Sequence, residues 1–138
     1  MKMQNVKKKL VLFVFLVLIS SVSAYPIIVS ENGVNHPKSK ELVYSIPEHY
    51  FKYVERIDFV NEPIKKYGLF YSGWYYVYWT KTHSCFNGRI WIYNNDLFSA
   101  EEMIWHELCH IADHCLLKND YSTDKFANNC KLEQLKWN

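Results

Sequence analysis

The sequence predicts a small α+β domain, a mixed or antiparallel sheet packed on one long amphipathic helix, with a further helix at the C-terminus. Three observations carry this. Residues 74–80 and 89–93 are dominated by aromatic and β-branched side chains, which fit a pleated surface. From Ser99 the apolar pattern changes its period from two residues to 3.6 and keeps it to about Leu117. The length of 138 residues is enough for one domain and not two.

The first segment reads as a targeting signal. Lys2, Lys7, Lys8 and Lys9 precede residues 10–19, which contain no polar side chain, and Ser20-Ser21-Val22-Ser23-Ala24 follows. A basic start, a short apolar stretch and small residues at Val22 and Ala24 are the pattern of a secretory signal peptide over 1–24, cut after Ala24. The apolar run is short of the roughly 20 residues a membrane span needs. The alternative is an uncleaved anchor within residues 10–29. Cleavage leaves a single secreted domain, 25–138, with no stable membrane association.

Removal of that segment reverses the charge balance. The whole chain has 16 Lys+Arg against 14 Asp+Glu, and losing four lysines but no acid leaves 12 against 14, a net −2. The basicity belongs to the targeting segment, so nucleic acid is not an expected partner. Cys85, Cys109, Cys115 and Cys130 all fall in the exported part. An even count in an oxidising compartment favours two disulfides, with three connectivities open. No paired C-x-x-C unit suggests a cysteine-bound metal.

The remaining elements follow in order. Residues 25–40, with Pro26, Gly33, Asn35 and Pro37, read as an extended opening segment. Ser45-Ile46-Pro47-Glu48 marks a helix start, with proline in the first turn, that would run to about Val54. Arg56-Ile57-Asp58-Phe59-Val60 alternates as a strand does. Residues 65–71, with Gly68, read as a linker, 74–80 as the strongest strand, 81–88 as a loop holding His83 and Cys85, and 89–93 as another strand. Ser99-Ala100-Glu101-Glu102 has the spacing of a capping box, so the long helix begins there. Residues 118–123 form a loop. A final helix is expected from Asp124 to about Trp137, with Phe126, Cys130 or Leu132, and Leu135 turned inward.

The long helix carries His106-Glu107-Leu108-Cys109-His110, an H-E-x-x-H pattern. Four-residue spacing on a helix puts both imidazoles on one face, one turn apart, where they can bind one zinc ion. Glu107 is rotated about 100° from His106, beside the metal rather than on it. Residue frequencies alone yield such a pattern in roughly one chain per hundred of this length, so the setting matters. Here Ile104, Leu108, Ile111, Ala112 and Cys115 cluster opposite the histidines, giving the helix an apolar back and a polar front.

A catalytic zinc needs a third protein ligand and an open position. Asp124, Asp120 and Asp113 are the candidates, and Asp124 is also the acid that a helix N-terminus favours for its dipole alone. Asp113 shares the face of His106 and suits a different task, accepting the outer imidazole N–H of a ligand histidine or of a neighbouring one. His114 is about 80° away from His106 and is expected on the surface or in support. His83, His36 and His49 have no supporting spacing.

A strand, a capped H-E-x-x-H helix, a loop, and a second helix opening with an acid two residues before Phe126-Ala127 together resemble the zincin metallopeptidases. The likeness is narrowest to those whose third ligand is a carboxylate on the following helix. It covers about residues 45–130, and only the five-residue motif is highly specific. The resemblance implies a zincin-like fold and Zn²⁺ held by His106, His110 and Asp124. It also implies Glu107 as general base and Tyr121 as a hydrogen-bond donor to the oxyanion. It gives residues 89–93 the part of the edge strand along which an extended substrate aligns. A Cys109–Cys130 disulfide would tie the motif helix to the last one. There are departures. The family commonly has Glu where Asp124 stands, one methylene longer, so the second helix must come closer. The metzincin extension is absent, since Asp113 and Leu116 occupy the places of its Gly and third His.

The implied activity is that of a secreted zinc-dependent peptidase, whose partner is a peptide or protein substrate attacked by a zinc-activated water. The rival reading is a secreted, disulfide-stabilised metal-binding or protein-binding module without catalysis. A glutamate placed straight after the first histidine argues against the rival, because a structural site needs no base.

Overall fold

Strand pairing sets the architecture. The computed structural model describes residues 25–32, 34, 36–94 and 99–137. The expected signal peptide over 1–24 lies outside them, as do Gly33 and Asn35 of the opening segment. The central sheet has the order β1-β2-β6-β5. β1 (Ile27–Ser30) runs parallel to β2 (Val54–Phe59), and β2 runs parallel to β6 (Cys85–Ile92). β5 (Gly73–Trp79) pairs antiparallel with β6 and closes one edge. The sheet is therefore mixed, within an α+β fold.

Parallel neighbours cannot be joined by a tight turn, so the chain must cross over between β1 and β2. It does so through α1 (His36–Ser45) and a 3₁₀ turn, Glu48–Phe51. This corrects the expected extended segment to residue 40 and the helix from 47 to about 54. Pro37 stands in the first turn of α1, where its missing N–H has no helical partner to lose. The inward positions of α1 are Ser39 and Val43, so its apolar stripe is faint. Pro47 opens only the single 3₁₀ turn.

Residues 65–71 are not a linker. β3 (Ile64–Lys66) and β4 (Leu69–Tyr71) form an antiparallel hairpin, closed by Tyr67 at φ 50° and Gly68 at φ 80°. Two successive left-handed residues make a turn whose twist matches that of the strands. Glycine enters that region without steric cost; Tyr67 is a departure from the usual Asn or Asp.

The core lies under α2 (Ala100–Cys115), which crosses one face of the sheet. The capping box forms as the sequence predicts. Ser99 Oγ accepts from the Glu102 N–H at 3.1 Å, and Glu102 Oε2 accepts from the Ser99 N–H at 2.8 Å. Ile104, Leu108, Ile111, Ala112 and Cys115 are all buried, as expected of the helix back, and join Ile57, Ile90, Ile92 and Val77 in one cluster. Burial of each large aliphatic side chain contributes about 1.5–3 kcal/mol. Disulfides fasten α2 at two points, Cys115 to Cys85 at the start of β6 and Cys109 to Cys130.

The last helix is shorter than expected. α3 (Asp124–Asn129) ends at Cys130, whose backbone is extended, and a 3₁₀ turn, Leu132–Gln134, follows. Asn128 and Asn129 are weak helix formers. Beyond them the disulfide and the fully buried Leu132 hold the chain against α2 in an irregular path. Among the described residues no helix is long and apolar enough to cross a membrane.

Candidate metal centre

Three side chains converge at the front of α2. His106 Nε2 and His110 Nε2 are 3.1 Å apart, and Asp124 Oδ1 lies 3.5 Å from the first and 3.3 Å from the second. A tetrahedral zinc about 2.0–2.1 Å from each donor requires the donors to stand about 3.3–3.4 Å from one another. The three atoms already form such a triangle, so this group could hold a metal ion.

The donor chemistry agrees with the spacing. His110 Nδ1 is 2.8 Å from Ser122 Oγ. With Nδ1–H donating to that hydroxyl, the Nε2 lone pair faces the triangle. Burial, reinforced by the neighbouring His106, pushes the His110 pKa down to about 4, against a weaker opposing pull from Asp124. The ring is therefore neutral near pH 7, as a metal ligand must be.

Each member is positioned by its surroundings. Helical periodicity delivers the two histidines. Thr123 caps α3, its Oγ1 accepting from the Phe126 N–H at 3.2 Å, which makes Asp124 the first helical residue. The Cys109–Cys130 disulfide joins the motif itself to the far end of that short helix. Tyr75 of β5 stacks on His110 with ring centroids 4.9 Å apart and planes at 9°. Its hydroxyl lies 2.8 Å from His114 Nε2, while His114 Nδ1 lies 2.7 Å from the Asn119 carbonyl. A carbonyl only accepts, so His114 donates from Nδ1 and its Nε2 accepts from Tyr75. Burial and the charges of Glu107, Asp113 and Asp124 push the Tyr75 phenol up to about 12, which keeps that donor protonated.

Glu107 lies alongside. Its side chain is buried in the same cleft, and burial first, then the charge of Asp124, raises its pKa to about 8. The cleft, of about 760 Å³, runs between β5 and the front of α2 and is lined by both histidines, Glu107 and Asp124. Gly73, at the start of β5, leaves the space that the Glu107 carboxylate occupies; a Cβ there would overlap Oε1.

Other sequence-predicted residues are placed differently. Asp120 lies 3.4 Å from His83 Nε2 rather than with the histidine pair. Asp113 does not orient a ligand. It is buried and accepts from Asn119 Nδ2 at 2.6 Å, bracing the turn after α2. Of the two places open to His114, surface or support, it takes the second: it is 3% exposed, between Tyr75 and Trp79, and holds the Tyr75 hydroxyl. Tyr121 is 89% exposed and outside the cleft lining, so the structure does not bring it to the centre. The strand expected to align a substrate, 89–93, belongs to β6, which is flanked on both sides. The edge beside the centre is β5, because β6 is taken on its other side by the parallel strand β2. Tyr75, Ser122 and Gly73 escaped sequence reasoning. Each acts through space on α2, and none carries a local pattern.

Comparison with protein-family models, with curated proteins and with solved structures finds no match to this chain. The reading of its function therefore rests on the centre itself.

Proposed function

We propose that this chain is a zincin-like zinc peptidase, exported and acting outside the cytoplasm. One observation carries the reading most. A buried carboxylate that is not a member of the donor triangle, Glu107, shares a cleft with that triangle and with a strand edge. A site that only holds the fold together has no use for such a group. The two disulfides fit an oxidising compartment.

His106, His110 and Asp124 would hold the ion. When bound, zinc polarises a carbonyl and brings the pKa of water to about 7. Glu107 then takes the proton of the attacking water and passes it to the leaving amine. Near an added dication its pKa falls below the value of about 8 that burial imposes, which makes it available as a base near neutrality. An extended peptide can pair with the free edge of β5 and lie across the triangle. The absence of a side chain at Gly73 leaves the Glu107 carboxylate its place against the start of that strand.

The test is metal analysis together with cleavage of a diverse peptide library by zinc-loaded protein. Glu107→Gln is expected to keep stoichiometric zinc and the thermal midpoint and to lose about 10²–10⁴-fold in kcat. Stoichiometric zinc with no cleavage by the unaltered chain favours a non-catalytic metal-binding module. Full turnover by Glu107→Gln rejects the base assignment.

A further inference from the structure

The helices use only one face of the central sheet. Their buried residues join a single cluster, to which the strands contribute Ile57 and Phe59 of β2, Ile90 and Ile92 of β6, and Val77 of β5. The alternate strand residues point the other way. None of them belongs to that cluster, so among the described residues no helix lies over the outer face. Across it Arg56 pairs with Arg89, Asp58 and Trp74 with Trp91, Tyr76 with Arg89, and Tyr78 with Phe86.

This face mixes cations with flat rings. The tryptophans attract the cations. Arg89 Cζ lies 4.5 Å from the Trp91 ring centroid, and Lys66 Nζ, reaching over from β3, lies 5.8 Å from Trp91 and 5.9 Å from Trp74. Asp58 is buried and fixes both guanidiniums, accepting from Arg89 Nε at 2.6 Å and from Arg56 Nη2 at 2.6 Å. The other rings are open. Tyr76, Tyr78 and Phe86 are 47%, 50% and 47% exposed. Tyr78 and Phe86 lie in nearly parallel planes, 14° apart with centroids 5.7 Å apart, and Tyr76 meets Tyr78 edge-on at 4.8 Å. The strands of this sheet contain one other acid, Glu55, at the irregular step by which β2 begins. Counting it, the three cations Lys66, Arg89 and Arg56 stand against two acids.

We propose that this outer face binds a linear acidic polysaccharide. The sugar rings lie on Tyr76, Tyr78 and Phe86, and their carboxylate or sulfate groups meet Lys66, Arg89 and Arg56. The C–H side of a sugar ring packs against an aromatic face, and a guanidinium already held in place matches a planar oxyanion. The mixture disfavours the other occupants. A second copy would set like charge against like. A bilayer takes up apolar side chains grouped apart from charge, whereas here cations and rings share one flat layer. Single-stranded nucleic acid also combines rings with anions, but the two disulfides fit an oxidising compartment, where glycans are the abundant polymer. The face lies on the opposite side of the sheet from the triangle of His106, His110 and Asp124, so the proposal does not rest on the peptidase reading.

The experiment is titration calorimetry of the full chain with polygalacturonate and dextran sulfate, against neutral dextran and against polyglutamate, which has the charge without the rings. At least one acidic polysaccharide is expected to bind about tenfold or more tightly than either control. Tyr78→Ala combined with Phe86→Ala should weaken that binding about tenfold or more, as loss of stacking rings does. Tyr78→Leu keeps the bulk without the flat ring and serves the same purpose if the double variant does not fold. Lys66→Gln should weaken binding about threefold and flatten its dependence on salt. Tyr121→Ala removes an exposed ring elsewhere and should change nothing. Binding of dextran or polyglutamate as tight as that of the acidic polysaccharides overturns the proposal, as does no binding at all. Tighter binding of a single-stranded oligonucleotide overturns it in favour of nucleic acid. Anionic-vesicle binding, or a dimer in sedimentation, that is lost with the same rings while polysaccharide binding is unaffected assigns the face to a membrane or a second copy and likewise rejects it.

Discussion

The carboxylate of Glu107 rests against the backbone of Gly73 where β5 begins, and there is no room for a side chain between them. This contact joins the candidate base to the strand edge on which a substrate would lie. Gly73 has no positive φ to satisfy, so it is needed for space alone. Gly73→Ala must displace either Glu107 or the start of β5. The expected result is a loss of peptide turnover of about 10²-fold or more, as for other small misplacements of catalytic groups, with zinc stoichiometry retained. Side-by-side kcat and metal content would check this. Unchanged turnover would show that the carboxylate works from another position.

The same burial gives the metal-free protein a pH signature. Glu107 is raised from 4.5 to about 8, so across that window the folded chain keeps a proton that the unfolded chain has released. Its contribution is present below pH 4.5 and is lost as pH rises towards 8. His110 acts in the opposite sense. Lowered from 6.5 to about 4, it supports the fold above pH 6.5 and ceases to do so as pH falls towards 4. Of these two groups only Glu107 acts between 6.5 and 8. Urea midpoints measured in chelator should therefore fall across that interval for the unaltered chain. Glu107→Gln should flatten the slope, and a slope unaltered by that substitution would place the linked proton elsewhere.

The parts that were legible in the sequence are those set by local geometry. Ser99 and Glu102 announce α2, and helical spacing alone puts His106 and His110 on one face with Ile104 and Leu108 behind them. The aromatic runs announce β5 and β6. Asp124 was reached through resemblance to a family rather than through spacing, because its distance from His110 depends on how two helices pack. Strand order is likewise non-local, and nothing in residues 89–93 reveals that β2 covers their outer side. α1 escaped because few of its residues face inward. The hairpin escaped because Tyr67 occupies a backbone region where asparagine or glycine is the usual signal.

His110 is held from two directions, by Ser122 at Nδ1 and by the face of Tyr75. Partners of this kind set the orientation and basicity of a ligand, and losing one typically costs about 10–100-fold in metal affinity. Ser122→Ala should weaken zinc binding within that range. Tyr75→Phe keeps the stack and removes only the bond to His114, so it should weaken binding less than Tyr75→Ala does. Competition with a chromophoric chelator measures all three. Equal losses for Phe and Ala at position 75 would assign the effect to the hydroxyl instead of the ring.

The two disulfides should be separable by function. Both fasten α2, but only Cys109–Cys130 reaches α3, which has six residues and carries Asp124 at its first position. With so short a helix, the covalent tie and the burial of Ala127 are what keep the Asp124 carboxylate near the histidines. Replacing Cys109 and Cys130 together with serine should cost about 3 kcal/mol of stability through the freed loop, and should weaken zinc binding as well. The corresponding change at Cys85 and Cys115 opens a loop of 30 rather than 21 residues, so its stability cost should be no smaller. It should nevertheless leave zinc affinity nearly unchanged, because His106, His110 and Asp124 keep their mutual tie. Denaturant titration and chelator competition on the two variants provide the comparison. If both weaken zinc to the same extent, α3 is placed by the fold as a whole, and the Cys109–Cys130 bond has no special part in setting the third ligand.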